Sequence, residues 1–302
     1  MVEPLLPSFR NRYRARVAAE RLDLSDRVCL VTGAGRGIGL ATTRELARRG
    51  ARGLVLVDLP GDGLEAASAG LGERALAIGA DVTDADAMRR AVAAARDRYG
   101  GLDVVVANAG IERIGTMREQ RPEDFERVIE VNLLGVYRTL QPAIDAVVQR
   151  RGHLIAVSSA AAAMASPLIV AYGASKAGVA SLMRGLRAEL SGTGATAGAA
   201  FFGFIDTSMI ERARAHPAFQ HGLGRMPSWA LHTLPPEAAA RAIADGIERR
   251  KARVWLPRHV SGMFLLGGFM QVLDDHLARR LDVPATVRIA EVEDRERNTV
   301  VR

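Results

Sequence analysis

Val28-Cys29-Leu30-Val31-Thr32-Gly33-Ala34-Gly35-Arg36-Gly37-Ile38-Gly39 is a short apolar run of strand type that passes at once into glycines and then into a helical stretch, Leu40 to Arg49. A strand without polar alternation is buried on both faces. Similar runs recur at Gly53 to Asp58, Ala75 to Ile78, Val104 to Ala107, Leu154 to Val157, Ala197 to Phe201 and Arg253 to Pro257. Helical patterns lie between them at Ala85 to Tyr99, Pro122 to Gln149, Ser175 to Ser191 and Pro236 to Arg250. Wholly apolar strands alternating with helices imply a parallel sheet with helices on both faces.

The alternation runs from about residue 27 to 257 without a linker or internal repeat. The expected fold class is therefore α/β: a single Rossmann-type doubly wound parallel sheet of about seven strands, spanning 26–257. A basic helical extension is expected over 1–25, and an apolar helix with a charged, mobile tail over 258–302. In such sheets ligands bind beyond the carboxyl ends of the strands, so chemistry is sought in the residues just after each strand.

The 302 residues suffice for a substantial core, and 48% hydrophobic with 25% charged residues is an ordinary soluble composition. That excludes a disordered tail protein and a multispanning membrane protein. The formal charge of +7 comes almost wholly from arginine. The arginines are interleaved with acids along helices, so a solvated surface is expected and no nucleic-acid partner. Arg10, Arg12, Arg14 and Arg16 form the one dense group, and no apolar stretch follows them as in a secretory signal. The lone Cys29 forms no internal disulfide, which points to a reducing, cytoplasmic setting. The histidines show no metal-ligand spacing, and no metal is assigned.

Gly33, Gly35, Gly37 and Gly39 let the backbone turn sharply and approach a pyrophosphate, whose charge the next helix N-terminus receives. Arg36 and Ile38 complete this loop. Asp58 closes the following strand, 19 residues after Gly39. A carboxylate there accepts from the adenosine ribose hydroxyls and repels a 2′-phosphate, so NAD is expected over NADP. Arg36 is the opposing signal, since a basic residue in the loop suits a 2′-phosphate, and Asp58 also reads as a strand-ending turn residue.

Tyr172 and Lys176, four residues apart, share one helix face. A nearby ammonium stabilises a phenolate and lowers the tyrosine pKa. Ser159 stands 13 positions before Tyr172, just beyond a strand, with Ser158 as the rival hydroxyl. Asn108-Ala109-Gly110 follows another strand, and Asn132 is a polar residue inside a helix, where it is expected to bond something.

With these residues in this order the chain resembles the short-chain dehydrogenase/reductase family over about residues 27 to 210, in its single-domain form. The resemblance implies that Tyr172 is the general acid/base, and that Lys176 binds the nicotinamide ribose and lowers the Tyr172 pKa. It further implies that Ser159 polarises the carbonyl and that Asn132 holds a water relaying the proton to solvent. Asp81 and Val82 would border the adenine, Asn108, Ala109 and Gly110 would back the cofactor site, and Thr207 with the Ile205 backbone would take the carboxamide. Phe202-Gly203 departs from the family's Pro-Gly.

The expectation is an NAD(H)-dependent oxidoreductase interconverting an alcohol and a ketone or aldehyde. The alternatives are an NADP-dependent ketoreductase and a non-catalytic NAD-binding scaffold. Sugar-nucleotide epimerases share the Tyr/Lys pair but have another glycine spacing and a larger substrate domain. Met209, Ile210, Phe219, Met226 and Trp229 between Ser208 and Leu234, with Ile111, Met164 and Leu168, would suit a lipophilic substrate. The partners expected are that small molecule and further copies of the chain, as a homodimer or homotetramer. For the apolar stretch Val260 to Leu273 the order of preference is packing on the body, a subunit contact, then a membrane surface; it is too short to span a bilayer.

Overall fold

The computed structural model describes residues 21–164, 166–225, 231–265 and 278–300. Seven strands form one parallel sheet in the order β3-β2-β1-β4-β5-β6-β7: β1 (Val28–Thr32), β2 (Gly53–Asp58), β3 (Ala75–Gly79), β4 (Val104–Ala107), β5 (His153–Val157), β6 (Thr196–Phe202) and β7 (Arg253–Leu256). The order reverses between β1 and β4, which opens a crevice at their carboxyl ends.

The helices between strands are α1 (Gly37–Arg48), α2 (Asp62–Ala69), α3 (Ala85–Tyr99), α4 (Pro122–Ile129), α5 (Gly135–Leu140), α6 (Ile144–Gln149) and α7 (Val170–Glu189). After β6 come α8 (Ser208–Ala215), α9 (Pro217–Leu223) and α10 (Pro236–Glu248), and after β7 come α11 (Val260–Leu265) and α12 (Val283–Val300). Alternate residues of β1 feed two cores. Val28 and Leu30 pack with Met88, Leu140, Val147 and Met183 on one face, and Cys29 and Val31 pack with Leu46, Ile243 and Ile247 on the other. Cys29 is thus a core residue, and burial holds its thiol far above the usual range. Arg49 pins α1 to α10, reaching Asp245 at 2.8 Å and Glu248 at 3.0 Å.

Four local expectations change. The stretch read as one helix from Pro122 to Gln149 is broken by a wide π turn at Glu130–Leu134 and a tight turn at Gln141–Ala143. Pro142, which has no N–H to donate, explains the second break. The helix expected from Ser175 begins at Val170, so Tyr172 as well as Lys176 lies on α7. At the N-terminus, residues 21–24 are not helical: Leu22 and Leu24 are buried in the second core, and Leu22 N–H donates to the Glu248 carbonyl at 2.9 Å. Residues 1–20 lie outside the described residues.

The tail read as charged and mobile is the helix α12. Its Ala290 is fully buried against Leu168 and Ala218, with Ile114 and Ile289 packed alongside, so short apolar side chains on one face fix a highly charged helix. In the stretch 260–273, Phe264 packs on the body of the domain, with its ring 4.5 Å from Phe201 and 4.8 Å from Trp255, while residues 266–273 lie outside the described residues. Among the described residues no helix is long and apolar enough to cross a membrane.

Candidate active site

The crevice is built on Thr32, a polar residue ending an otherwise apolar strand. Its Oγ1 accepts from the backbone N–H groups of Asn108 at 3.0 Å and Ala109 at 3.1 Å, while Asn108 Nδ2 donates to the Thr32 carbonyl at 2.9 Å and the Gly33 carbonyl at 3.3 Å. These bonds hold the ends of β1 and β4 together where the strand order reverses. The sequence reading gave Thr32 no role; a hydroxyl closing an apolar strand was the available signal.

Two glycines of the loop have physical necessity. Gly37 has φ +54°, and a Cβ there would lie 3.4 Å from Thr207 Cγ2, so the loop and the Ile205–Thr207 segment face each other closely. A Cβ on Gly39 would fall 1.9 Å from the Gly33 carbonyl oxygen. Asp58 accepts from Gly35 N–H at 2.7 Å and from Leu59 N–H at 2.8 Å, which places its carboxylate against the loop. Arg36 is exposed and, among the described residues, has no ion-pair partner.

Asp81 pairs with Arg127 of α4 at 2.7 Å and accepts from Thr83 N–H at 2.9 Å. Against the effect of burial, these bonds hold its carboxyl below the usual range. Val82 is buried beside Gly135. Ile205 is buried, and Thr207 Oγ1 donates to its carbonyl at 3.2 Å, just before α8.

Two hydroxyls follow β5 and do different things. Ser158 is buried and donates to the Lys176 carbonyl at 2.9 Å, so it serves helix α7. Ser159 Oγ accepts from Ala161 N–H at 3.2 Å and acts on the Tyr172 phenol, lowering its pKa. Of these two hydroxyls, that of Ser159 is the one acting on Tyr172. Lys176 is 3% exposed and donates to the Val157 carbonyl at 2.9 Å, with its Nζ 5.6 Å from the centroid of the Tyr172 ring. Two of its three N–H donors remain for other partners.

Electrostatically the pair departs from the sequence expectation. Burial pushes the Tyr172 phenol up to about 12; the Ser159 hydroxyl works downward and the Glu112 charge upward. Burial also pushes Lys176 down to about 8. Desolvation disfavours the charged form of each group, and in the protein alone it outweighs the mutual help that helix spacing suggests.

Asn132 sits fully buried in the π turn. Its Oδ1 accepts from Ile111 N–H at 2.8 Å, and its Nδ2 donates to the Ile111 carbonyl at 2.9 Å and to Ser175 Oγ at 3.1 Å. Ser175 Oγ in turn donates to the Tyr172 carbonyl at 2.7 Å. The Asn132 side chain thus positions the loop after β4 and the first turns of α7. A Cβ on Gly110 would lie 3.3 Å from Asn132 Oδ1 and 3.4 Å from Lys176 Nζ, so the Asn108–Gly110 segment borders the same site.

The residues expected to form an apolar pocket are only partly assembled. Leu168 is buried in the small core under α12. His216 and His221 turn to the C-terminal region, 3.2 Å from Glu293 and 3.8 Å from Asp282. Met226 and Trp229 lie outside the described residues. Ile111, Met209, Ile210 and Phe219 remain partly exposed. The replacement Phe202 is buried in the core and leaves β6 in register with β7.

A glycine loop under an acidic strand end, with a buried lysine, a tyrosine and a serine across the crevice, fits a nicotinamide dinucleotide: the glycines leave room for its phosphates, and Lys176 keeps donors to spare. Sheet and site define a nicotinamide-dependent oxidoreductase acting on alcohol or keto groups. The family model described as short chain dehydrogenase matches residues 27–218. The chain belongs to the short-chain dehydrogenase family. It is similar to the 3-oxoacyl-(acyl-carrier-protein) reductase FabG of Thermotoga maritima, 35% identical over 68% of this chain and 84% of that protein. It is 37% identical to the acetoacetyl-CoA reductase of Synechocystis sp., over 62% of this chain and 75% of that one. A solved short-chain dehydrogenase/reductase of Burkholderia phymatum, in complex with NAD, shares the fold with a TM-score of 0.73 at 22% identity, covering 83% of this chain and 96% of that one.

Proposed function

We propose that the protein interconverts a secondary alcohol and a ketone with NAD(H), Tyr172 acting as general acid/base. The observation that carries this reading is the meeting of Ser159, Tyr172 and Lys176 at the carboxyl end of the sheet, with Ser159 lowering the phenol pKa and Lys176 Nζ 5.6 Å from its ring. The bound nicotinamide would exchange a hydride with the carbinol carbon. In oxidation Tyr172 accepts the alcohol proton and Ser159 donates to the same substrate oxygen. Lys176 turns its remaining N–H donors to the nicotinamide ribose, and Asp81, Val82, Asn108–Gly110, Ile205 and Thr207 line the path of the cofactor. Asn132 acts as a positioning residue through Ile111 and Ser175. Ile111, Met209 and Ile210 give the substrate an apolar wall.

The Tyr172 proton must leave at working pH although burial favours the neutral phenol, so the Ser159 hydroxyl, which lowers the phenol pKa, is needed. Removing it in Ser159→Ala raises the phenol pKa further, and the rising limb of the oxidation rate is expected to move to higher pH, with a fall in kcat. An unmoved limb in the variant would detach Ser159 from the phenol.

Asp58, placed against the glycine loop, supports NAD. Like charges brought together cost several kcal/mol, so Asp58→Ala is expected to raise kcat/KM with NADP relative to NAD by roughly tenfold or more, each 1.4 kcal/mol being a factor of ten. An unchanged ratio would pass the discrimination to Arg36 and favour the NADP reading. The direct experiment is turnover of purified protein with NAD and a panel of secondary alcohols, followed by absorbance of the reduced cofactor. Turnover with NAD is expected. Binding of NAD without turnover of any alcohol or ketone would leave a scaffold.

A further inference from the structure

One carboxylate beside this site has no use in the proposed chemistry. Glu112 follows Gly110 and Ile111 in the loop after β4, and Ile111 is fixed on both its N–H and its carbonyl by Asn132. Glu112 therefore occupies a set place. Its Oε1 is buried and, among the described residues, has no hydrogen-bond partner. Native domains seldom keep such an atom without a reason, because an unpaired buried polar group destabilises the fold.

The surroundings of Glu112 define what would satisfy it. Arg212 of α8 and its own neighbour Arg113 act on the carboxyl from a distance without pairing with it among the described residues, and Tyr172 of α7 feels its charge. Burial, opposed by the two guanidinium groups, pushes the Glu112 carboxyl up to about 7. Glu112 stands two residues beyond Gly110, where a Cβ would lie 3.4 Å from Lys176 Nζ, so the loop that carries it borders the crevice in which the acid/base phenol would meet a substrate. A perturbed acid with one buried, unpartnered oxygen, in a loop that borders a candidate active site, is a mark of a binding function.

We propose that Glu112 binds the substrate through a second hydroxyl, next to or one carbon removed from the reacting carbon, so that the preferred substrates are diols and hydroxy ketones. A hydroxyl fits better than an ammonium for two reasons. Arg212 and Arg113 already bring positive charge to this carboxyl, so a further cation would be repelled. A hydroxyl both donates and accepts, and so matches the carboxyl in either protonation state. The inference rests on the function proposed above, since it takes Tyr172 as the site of the reacting oxygen.

The test compares butane-2,3-diol with butan-2-ol, and trans-cyclohexane-1,2-diol with cyclohexanol, in wild type, Glu112→Leu and Glu112→Gln. Wild type is expected to favour each diol by roughly tenfold or more in kcat/KM, since a site built to bond a hydroxyl rejects the analogue lacking it. Glu112→Leu is expected to lose that preference. In Glu112→Gln the rising pH limb of butan-2-ol oxidation is expected to move to lower pH, because the charge that raises the Tyr172 pKa is gone. Relieving an unpaired buried acid also predicts a Tm for ligand-free Glu112→Leu about 2–4 °C above wild type, whereas a structural role predicts a fall.

Turnover of both members of each pair with equal efficiency, unaltered in the variants, would overturn the role of Glu112 and leave the proposed function standing. Preference for 3-aminobutan-2-ol over the diol would overturn the choice of a hydroxyl. Turnover of no alcohol or ketone at all would overturn the underlying function, and this inference with it.

Discussion

Tyr172→Phe is expected to lower kcat by about 10²–10⁴-fold, the usual contribution of general acid/base catalysis, with NAD affinity within a few-fold of wild type. The substitution removes one oxygen and keeps the ring. The support of the helix turn comes from Ser175, which bonds the Tyr172 carbonyl rather than its side chain. Lys176 is held independently, by the Val157 carbonyl, so its remaining donors stay in place. Initial rates and a fluorescence titration with NADH on the same preparation separate the two effects. A variant that keeps most of its rate would remove Tyr172 from the mechanism, and one that loses NADH binding would make the phenol a cofactor ligand first.

Gly39→Ala is expected to destabilise the domain by about 3 kcal/mol or more, at or above the upper end of ordinary overpacking, and to abolish measurable NADH binding. The added methyl would lie 1.9 Å from the Gly33 carbonyl oxygen and 2.7 Å from Asn108 Nδ2. Neither neighbour is a free side-chain end. Gly33 is in the left-handed region with φ +65°, and its carbonyl is bonded by Asn108, which is tied to Thr32. Relief requires the loop and α1 to separate, which widens the crevice the phosphates need. Urea unfolding and NADH titration measure both. A variant with wild-type stability and affinity would show that the loop is not a close cradle.

Much of the fold was legible because its signals are local. Five of the six residues of β2 are buried, as are all of β1, β4 and β5, which a reading of unbroken apolar runs requires. What escaped depends on contacts distant in sequence. Nothing near Leu22 announces that its N–H will find Glu248, and nothing in the acidic and basic run after Arg288 announces that Ala290 will bury against Leu168 and Ala218. Asn132, in the break of the long helix, likewise finds its partner in Ile111, 21 positions away.

The same division holds for the site. The glycine loop, Asp58, Ser159, Tyr172 and Lys176 stand at strand ends or on one helix face, positions that spacing reveals. The choice between Ser158 and Ser159 could be weighed from their spacing to Tyr172, but their division of labour is seen only once β5 and α7 are packed. Helix spacing correctly puts an ammonium near the phenol; it says nothing of the burial that sends the two pKa values apart, to about 12 and about 8. Glu112 was missed for that reason too, since a glutamate in a loop is ordinary until its Oε1 is found buried and unpartnered.

A crystal structure of the protein with NAD bears most directly on the central claim that one crevice brings cofactor and acid/base together. The nicotinamide ribose is expected within hydrogen-bond reach of Lys176 Nζ, the ring beside the Tyr172 phenol, and the adenosine ribose on Asp58. NAD bound elsewhere, or in the crevice with its nicotinamide turned away from Tyr172, would contradict it.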